Sequence, residues 1–262
     1  MKYSGAIFNF CAVFMFLMLH PIDAQDKRIG RDVKITWFGQ SAFKIDSPKG
    51  KVILIDPWLD NPKAPASVKD IDKVDLILVT HAHADHIGNT VELAKKFNAE
   101  VVCNNGLANY FTGQGLKNVV GMDISGTEDF EGIKVSMVEA VHSSGLDNNG
   151  QIVYGGIAVG YVIEFENGFV IYHAGDTGLF GDMKLIGEFY KPDLVMLPIG
   201  GHYTMGPKEA AKACELLNPK FIIPMHYGTF PVLSGTPEEL KKFLPANLKN
   251  KMIDIIPGEF VY

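Results

Sequence analysis

Cysteine is scarce in this chain, three in 262 residues. Cys103 and Cys214 sit in the apolar stretches "VVCNN" and "AKACELL" and read as inert core thiols rather than as a disulfide pair. Basic clusters are missing as well. No run of Lys or Arg exceeds the pairs Lys95-Lys96 and Lys241-Lys242, and the formal net charge is -6. A nucleic-acid polymer wants a basic stripe, so it is not an expected partner. There is no long polar tract, and hydrophobic residues make up 47%. That excludes a disordered chain and leaves enough apolar material for a sizeable core, in one large domain or two fused halves.

The chain also lacks a convincing membrane span. "MKYSGAIFNFCAVFMFLMLHPIDAQ" runs apolar for about 15 residues from Gly5 to Leu19, short of the roughly 20 that a spanning helix needs. One Lys before the run, and Pro21 and Ala24 after it, read as a secretory signal peptide over residues 1–24. The expectation is cleavage after Ala24, an exported (periplasmic or secreted) protein and a single domain over 25–262. Retention as an uncleaved anchor is the alternative. Cys11 lacks the preceding residues that a lipoprotein signal would show. Removing Lys2 and Asp23, one charge of each sign, leaves the net charge at -6.

From Val33 onward, short strands dominate. "VKITWFGQSAFKIDS" and "GKVILIDPWLD" flank the turn Ser47-Pro48-Lys49-Gly50, which predicts a hairpin. "VDLILVT" is the continuous apolar run of a strand covered on both faces. "HIGNTVELAKKFN" has helical spacing. "AEVVCNN" returns to strand. "GYVIEFENGFVIYHAGDT" folds back at Asn167-Gly168. "PDLVMLPIGGH" echoes "VDLILVTHAH", and "GPKEAAKACELL" supplies the helix after it, with Pro207 in the first turn. The pattern predicts an α/β fold of two β-rich halves, each covered by helices, in four layers: helix, sheet, sheet, helix.

"VTHAHADHIGN" then places His81, His83, Asp85 and His86 within six positions behind an apolar run. Zinc takes imidazole nitrogens and carboxylate oxygens at about 2.0–2.2 Å, four ligands in all. One short loop cannot wrap four donors around a single ion, so the economical reading is two ions, each completed from elsewhere. Two metals about 3.5–4 Å apart would clamp a substrate and activate a water between them. His142 in "VEAVHSSG", Asp176 in "YHAGDTG" and His226 in "IPMHYGT" are the missing donors, each behind an apolar run. Taken singly, any of them is as readily structural. A solvated His-rich turn at a buried strand end would be costly without a metal.

"THAHADH", "VHSSG", "HAGDT" and "PMHYGT" together resemble the metallo-β-lactamase superfamily across nearly the whole chain after the leader. "GGHYTMGPKEAAKA" and "IPMHYGTFP" resemble its branch of uncharacterised metal-dependent hydrolases related to ascorbate-6-phosphate lactonase. The resemblance implies a four-layer αββα sandwich. It also implies that His81, His83 and His142 hold one metal, that Asp85, His86 and His226 hold a second, and that Asp176 bridges them. Zinc is the expected metal, with manganese or iron as alternatives. The implied reaction is hydrolysis of a small ester, lactone or phosphoester by a metal-bridging water or hydroxide, with Asp85 handling a proton. The alternatives are a phosphodiesterase on nucleotide or phospholipid-derived substrates and a non-hydrolytic iron-binding redox module. His83 stands where flavin-dependent di-iron relatives carry an acidic residue, and Asp176 where the commonest true β-lactamases carry Cys. Where relatives commonly show Gly-His, this chain has Gly39-Gln40.

Other expectations concern the surroundings. His202, in the glycine-flanked "IGGHYTMG", would stabilise an oxyanion or hold a phosphate at a helix start. Asp56 would orient a metal-bound histidine by accepting its other N–H. His173 reads as a core or supporting residue. The loop 143–156 would form a lid or an ordinary exposed hairpin. Tyr154, Tyr203 and Tyr227 would face substrate or pack.

Overall fold

A computed structural model describes Met1, Ile29 and residues 32–148 and 150–262. The expected leader therefore lies, apart from Met1, outside the described residues. Among the described residues, no helix is long and apolar enough to cross a membrane.

Seven strands form the first sheet: β1 (Lys34–Gly39), β2 (Ala42–Asp46), β3 (Val52–Ile55), β4 (Leu76–Leu78), β5 (Glu100–Asn104), β6 (Val119–Met122) and the C-terminal β15 (Phe260–Val261). Their order is β15-β1-β2-β3-β4-β5-β6. The second sheet contains β7 (Thr127–Phe130), β8 (Ile133–Glu139), β11 (Val159–Glu164), β12 (Val170–His173), β13 (Leu194–Pro198) and β14 (Phe221–Met225), in the order β14-β13-β12-β11-β8-β7. A separate hairpin pairs β9 (Gly145–Asn148) with β10 (Gln151–Tyr154). In each sheet a hairpin half runs antiparallel and the other half is parallel: β3 to β6 in one, β12 to β14 in the other.

Because successive side chains of a strand point to opposite faces, each apolar run feeds two cores. Leu76 and Leu78 of β4 enter the core between the sheets, whereas Ile77 and Val79 face the outer core. Leu194 and Met196 of β13 likewise face inward, Val195 and Leu197 outward. The outer face of the first sheet is covered by α2 (Thr90–Phe97) and α3 (Asn105–Gly113), which follow the short α1 (Ala84–Ile87). The outer face of the second sheet is covered by α4 (Met183–Tyr190), α5 (Pro207–Leu217) and α6 (Pro237–Phe243), with α7 (Ala246–Lys249) beyond. The result is the expected four-layer αββα sandwich.

Three local details add to these expectations. "VKITWFGQSAFKIDS" is a hairpin in its own right, turning at Gln40, whose φ of 51° is in the left-handed region. The helical stretch after the histidines is two helices, divided at Gly88. Gly88 has φ 43°, and a Cβ there would stand 2.5 Å from the Pro57 carbonyl oxygen and 2.6 Å from the Trp58 Cα. Only glycine lets the histidine loop close so tightly on the Asp56-Pro57-Trp58 segment. Finally, the loop 143–156 carries the β9–β10 hairpin. Its base is bolted to the histidine loop, because the Ala82 N–H donates to the Ser144 hydroxyl at 3.1 Å. Cys103 and Cys214 are both free and buried, as expected of core thiols.

Candidate metal centre

The donors arrive from the ends of strands in both sheets. His81 lies three residues beyond β4, and α1 then carries Asp85 and His86, with His83 at its N-cap. His142 follows β8, Asp176 follows β12 and His226 directly follows β14. In open α/β sheets the crevice outside the carboxyl ends of parallel strands is the place where ligands bind. Four non-glycine residues around this crevice hold left-handed backbone: Gln40, Asp56, His202 and His226. Such strain persists only where the surroundings over-determine it, and it gathers at functional sites.

All seven expected donors converge. One nitrogen or oxygen from each of His81, His83 and His142 falls within 4.8 Å of the others, and the same holds for Asp85, His86 and His226. These are the two trios that the resemblance implied. The Oδ2 of Asp176 lies between them, 3.7 Å from His142 Nε2, 3.3 Å from His86 Nε2 and 3.0 Å from His226 Nε2. His81 and His86 are fully buried, and Asp176 is only 3% exposed.

The surroundings fit metal binding. His86 Nε2 is buried and lacks a hydrogen-bond partner of proper geometry, and such an orphan is costly unless a ligand claims it. Its other nitrogen, Nδ1, donates to Asp56 Oδ2 at 2.7 Å. Asp56 also accepts from the Thr80 N–H at 2.8 Å and the Thr80 hydroxyl at 2.7 Å. This fixes the His86 ring with Nε2 aimed into the centre, the orienting role expected of Asp56. Behind Asp176, His173 is buried. It accepts the Gly175 N–H at Nδ1 and donates from Nε2 to the Ser41 carbonyl at 3.0 Å. That neutral tautomer, reinforced by burial that pushes its pKa down, makes it a structural tie.

The carboxylates favour charge on two of the histidines, His86 and His226, whereas burial pushes the pKa of His81, His83 and His142 down. Burial disfavours the charge on His86, but the carboxylates of Asp176, Asp56 and Asp85 outweigh it and hold its pKa well above the ordinary imidazole value. Burial also opposes charging His226, yet Asp176 and Asp85 push its pKa up to about 9. Conversely, His86 and His226 overcome the burial of Asp176 and hold its carboxyl well below the usual range. His81 goes the other way, pushed well down by burial and by the neighbouring His86.

A cavity of about 540 Å³ opens over the centre. Gln40 lines it, its Nε2 2.9 Å from Asp85 Oδ2 and 2.7 Å from His226 Nε2. Tyr203 lines it too, whereas His202 is exposed, is not among the lining residues and meets the Tyr203 ring edge-on at 4.4 Å. Tyr227 packs on Trp37 at 5.3 Å, and Tyr154 is 78% exposed on β10, away from the lining. Sequence reasoning overlooked Trp58 and Phe230, which form a stacked pair in the cavity wall with ring centroids 6.0 Å apart. A signal was present: Trp58 stands two residues after Asp56 and Phe230 four after His226.

Fold and centre together define a metallo-hydrolase of the β-lactamase superfamily. The description "Beta-lactamase superfamily domain" matches residues 51–227. A protein of Koribacter versatilis named "UPF0173 metal-dependent hydrolase" is 53% identical over 213 residues, 81% of this chain and 91% of its own. A relative of the same name from Methanopyrus kandleri is 50% identical, over 87% of this chain and 98% of its own. Among solved structures, Igni18, a metallo hydrolase from Ignicoccus hospitalis, superposes with a TM-score of 0.78 at 37% identity, covering 87% of this chain and 97% of that one. The chain belongs to the UPF0173 metal-dependent hydrolases.

Proposed function

We propose that the protein is a dinuclear hydrolase that uses two divalent ions, zinc by preference, to cleave a small ester, lactone or phosphoester. The observation that carries this reading is the position of Asp176, whose single oxygen reaches imidazole nitrogens of both trios at 3.0–3.7 Å. One site would be His81, His83 and His142, the other Asp85, His86 and His226, with Asp176 shared. When bound, the metal pair supplies Lewis acidity and a water of lowered pKa.

The protein's own residues do the rest. The Asp56–His86 and Thr80–Asp56 bonds hold the donor geometry before substrate arrives, so little reorganisation is needed during the reaction. Asp85 is the carboxylate placed to take a proton and return it to the leaving group. Its side chain is 25% exposed, against 3% for Asp176 and none for Asp56. Burial opposes its charge, but His86 and His226 hold its pKa below the usual range, so it rests as a carboxylate that can accept a hydrogen bond from water. In ester hydrolysis the water oxygen adds to the carbonyl carbon and the bond to the leaving oxygen breaks. A proton then travels from water to that oxygen, giving acid and alcohol. The oxyanion role expected of His202 is not carried into the reaction, because its side chain is exposed and outside the cavity lining. Export to the periplasm or medium is part of the proposal, on the strength of the apolar N-terminal sequence alone.

The test is a panel of esters, lactones and phosphoesters, assayed with two equivalents of zinc and again after chelation. Zinc-dependent turnover of at least one class is expected. Equal rates with and without the metal would remove the proposal.

A further inference from the structure

The proposed function leaves the substrate open among several classes, and the cavity wall narrows them. Above the histidine floor stand three aromatic side chains. Trp58 and Phe230 stack with their rings inclined at 27°, and Tyr203 faces the same cavity. Phe230 is 39% exposed and Tyr203 58% exposed. Solvent-facing aromatic surface gathered at the mouth of one cavity is a ligand-binding feature rather than packing. The wall is also held rigidly. Trp58 N–H donates to the Asp56 carbonyl at 2.7 Å, and the Asn89 N–H donates to the Pro57 carbonyl at 2.9 Å. The segment that orients His86 from behind thus carries the aromatic wall in front.

Charge tells the same story. Among the described residues, no Lys or Arg lines this cavity. Recognition of a phosphate remote from the metals needs guanidinium, ammonium or a cradle of N–H groups. Here a second anionic group would meet indole and phenyl faces instead.

Resting on the hydrolase reading, we infer that the substrate is a small uncharged ester or lactone with a flat apolar group. That group lies against Trp58 and Phe230 while the scissile carbonyl faces Asp176 and His226. Sugar phosphates are disfavoured, because no Lys or Arg lines the cavity to take a phosphate remote from the metals.

Methyl 2-naphthylacetate and methyl acetate share a leaving group and differ in the flat group, so their comparison reports the wall. With the zinc-loaded full chain, kcat/KM favours the naphthyl ester at least about tenfold, the scale of discrimination by an apolar pocket. Trp58→Ala and Phe230→Ala each reduce that preference about tenfold, through KM, with zinc content unchanged. Trp58→Leu serves if Trp58→Ala does not fold. A preference near one in the wild type, or one untouched by both substitutions, overturns the inference. If neither ester is hydrolysed, the reaction assigned above fails, and calorimetry still decides this point. 2-Naphthylacetate binds the zinc-loaded chain at least tenfold tighter than acetate, and loses that margin in Phe230→Ala, if the wall acts as described. Equal binding, or tighter binding of glycerol 3-phosphate, overturns it.

Discussion

Asp56→Asn isolates the support behind the metal centre from the ligands themselves. Asp56 is fully buried and receives three hydrogen bonds of 2.7–2.8 Å, two from Thr80 and one from His86 Nδ1. Asn is isosteric and tolerates the φ of 45° at this position better than most residues, so the backbone is kept. Its amide can keep one oxygen toward the Thr80 N–H, but the NH₂ then meets the His86 Nδ1 proton, donor against donor. Relief comes by moving the histidine proton to Nε2, the atom that must be free to bind metal. Losing the orienting partner of a ligating histidine weakens metal affinity roughly 10–100-fold, about 1.4–2.8 kcal/mol. The expected result is that one of two zinc ions, the one at Asp85, His86 and His226, binds 10–100-fold more weakly in chelator competition. The other stays within about threefold. Unaltered affinity at both sites would show that the Asp56–His86 bond does not set the ligand geometry.

Four further outcomes follow from the same structure. Zinc loading at pH 7.5 releases about two protons, from His86 and His226, because ligating imidazole must be neutral. Calorimetry in buffers of different ionisation enthalpy measures this, and release falls toward one above pH 9, since the His226 pKa is about 9. The linked stability has a definite sign: the raised pKa of His226 stabilises the metal-free fold fully below about pH 6.5 and that contribution disappears as pH rises through about 9. Gly88→Ala costs at least about 2 kcal/mol in urea unfolding, from left-handed backbone plus a clash with Pro57 and Trp58. A change below 0.5 kcal/mol would refute the close approach. Cys103 and Cys214 resist thiol reagents until the protein unfolds, because burial pushes the Cys103 thiol up to about 12 and Cys214 still higher.

The donor set was legible because chemistry leaves a local mark. Each ligand candidate follows an apolar strand, and a buried strand end has little reason to hold His or Asp otherwise. The two-face strands such as "VDLILVT" were equally plain. Helices α3 and α4 were not. In α3, "NGLANYFTG" has glycine second and last, which hides its start, although Asn104 caps it by accepting the Leu107 N–H at 3.0 Å. In α4, Gly187 breaks the helical reading for a tertiary reason: a Cβ there would stand 2.8 Å from the Leu216 carbonyl oxygen of α5. The aromatic wall was hidden for a related reason. Trp58 and Phe230 are 172 positions apart, and only the folding of the two sheets sets their rings together.

The central claim, a metal pair shared through Asp176, is met most directly by counting metal. Wild-type protein loaded with zinc and freed of excess should hold two ions per chain by elemental analysis. Asp176→Ala, folded by circular dichroism, should hold one or none. Two ions retained in Asp176→Ala, or one in the wild type, would contradict the account.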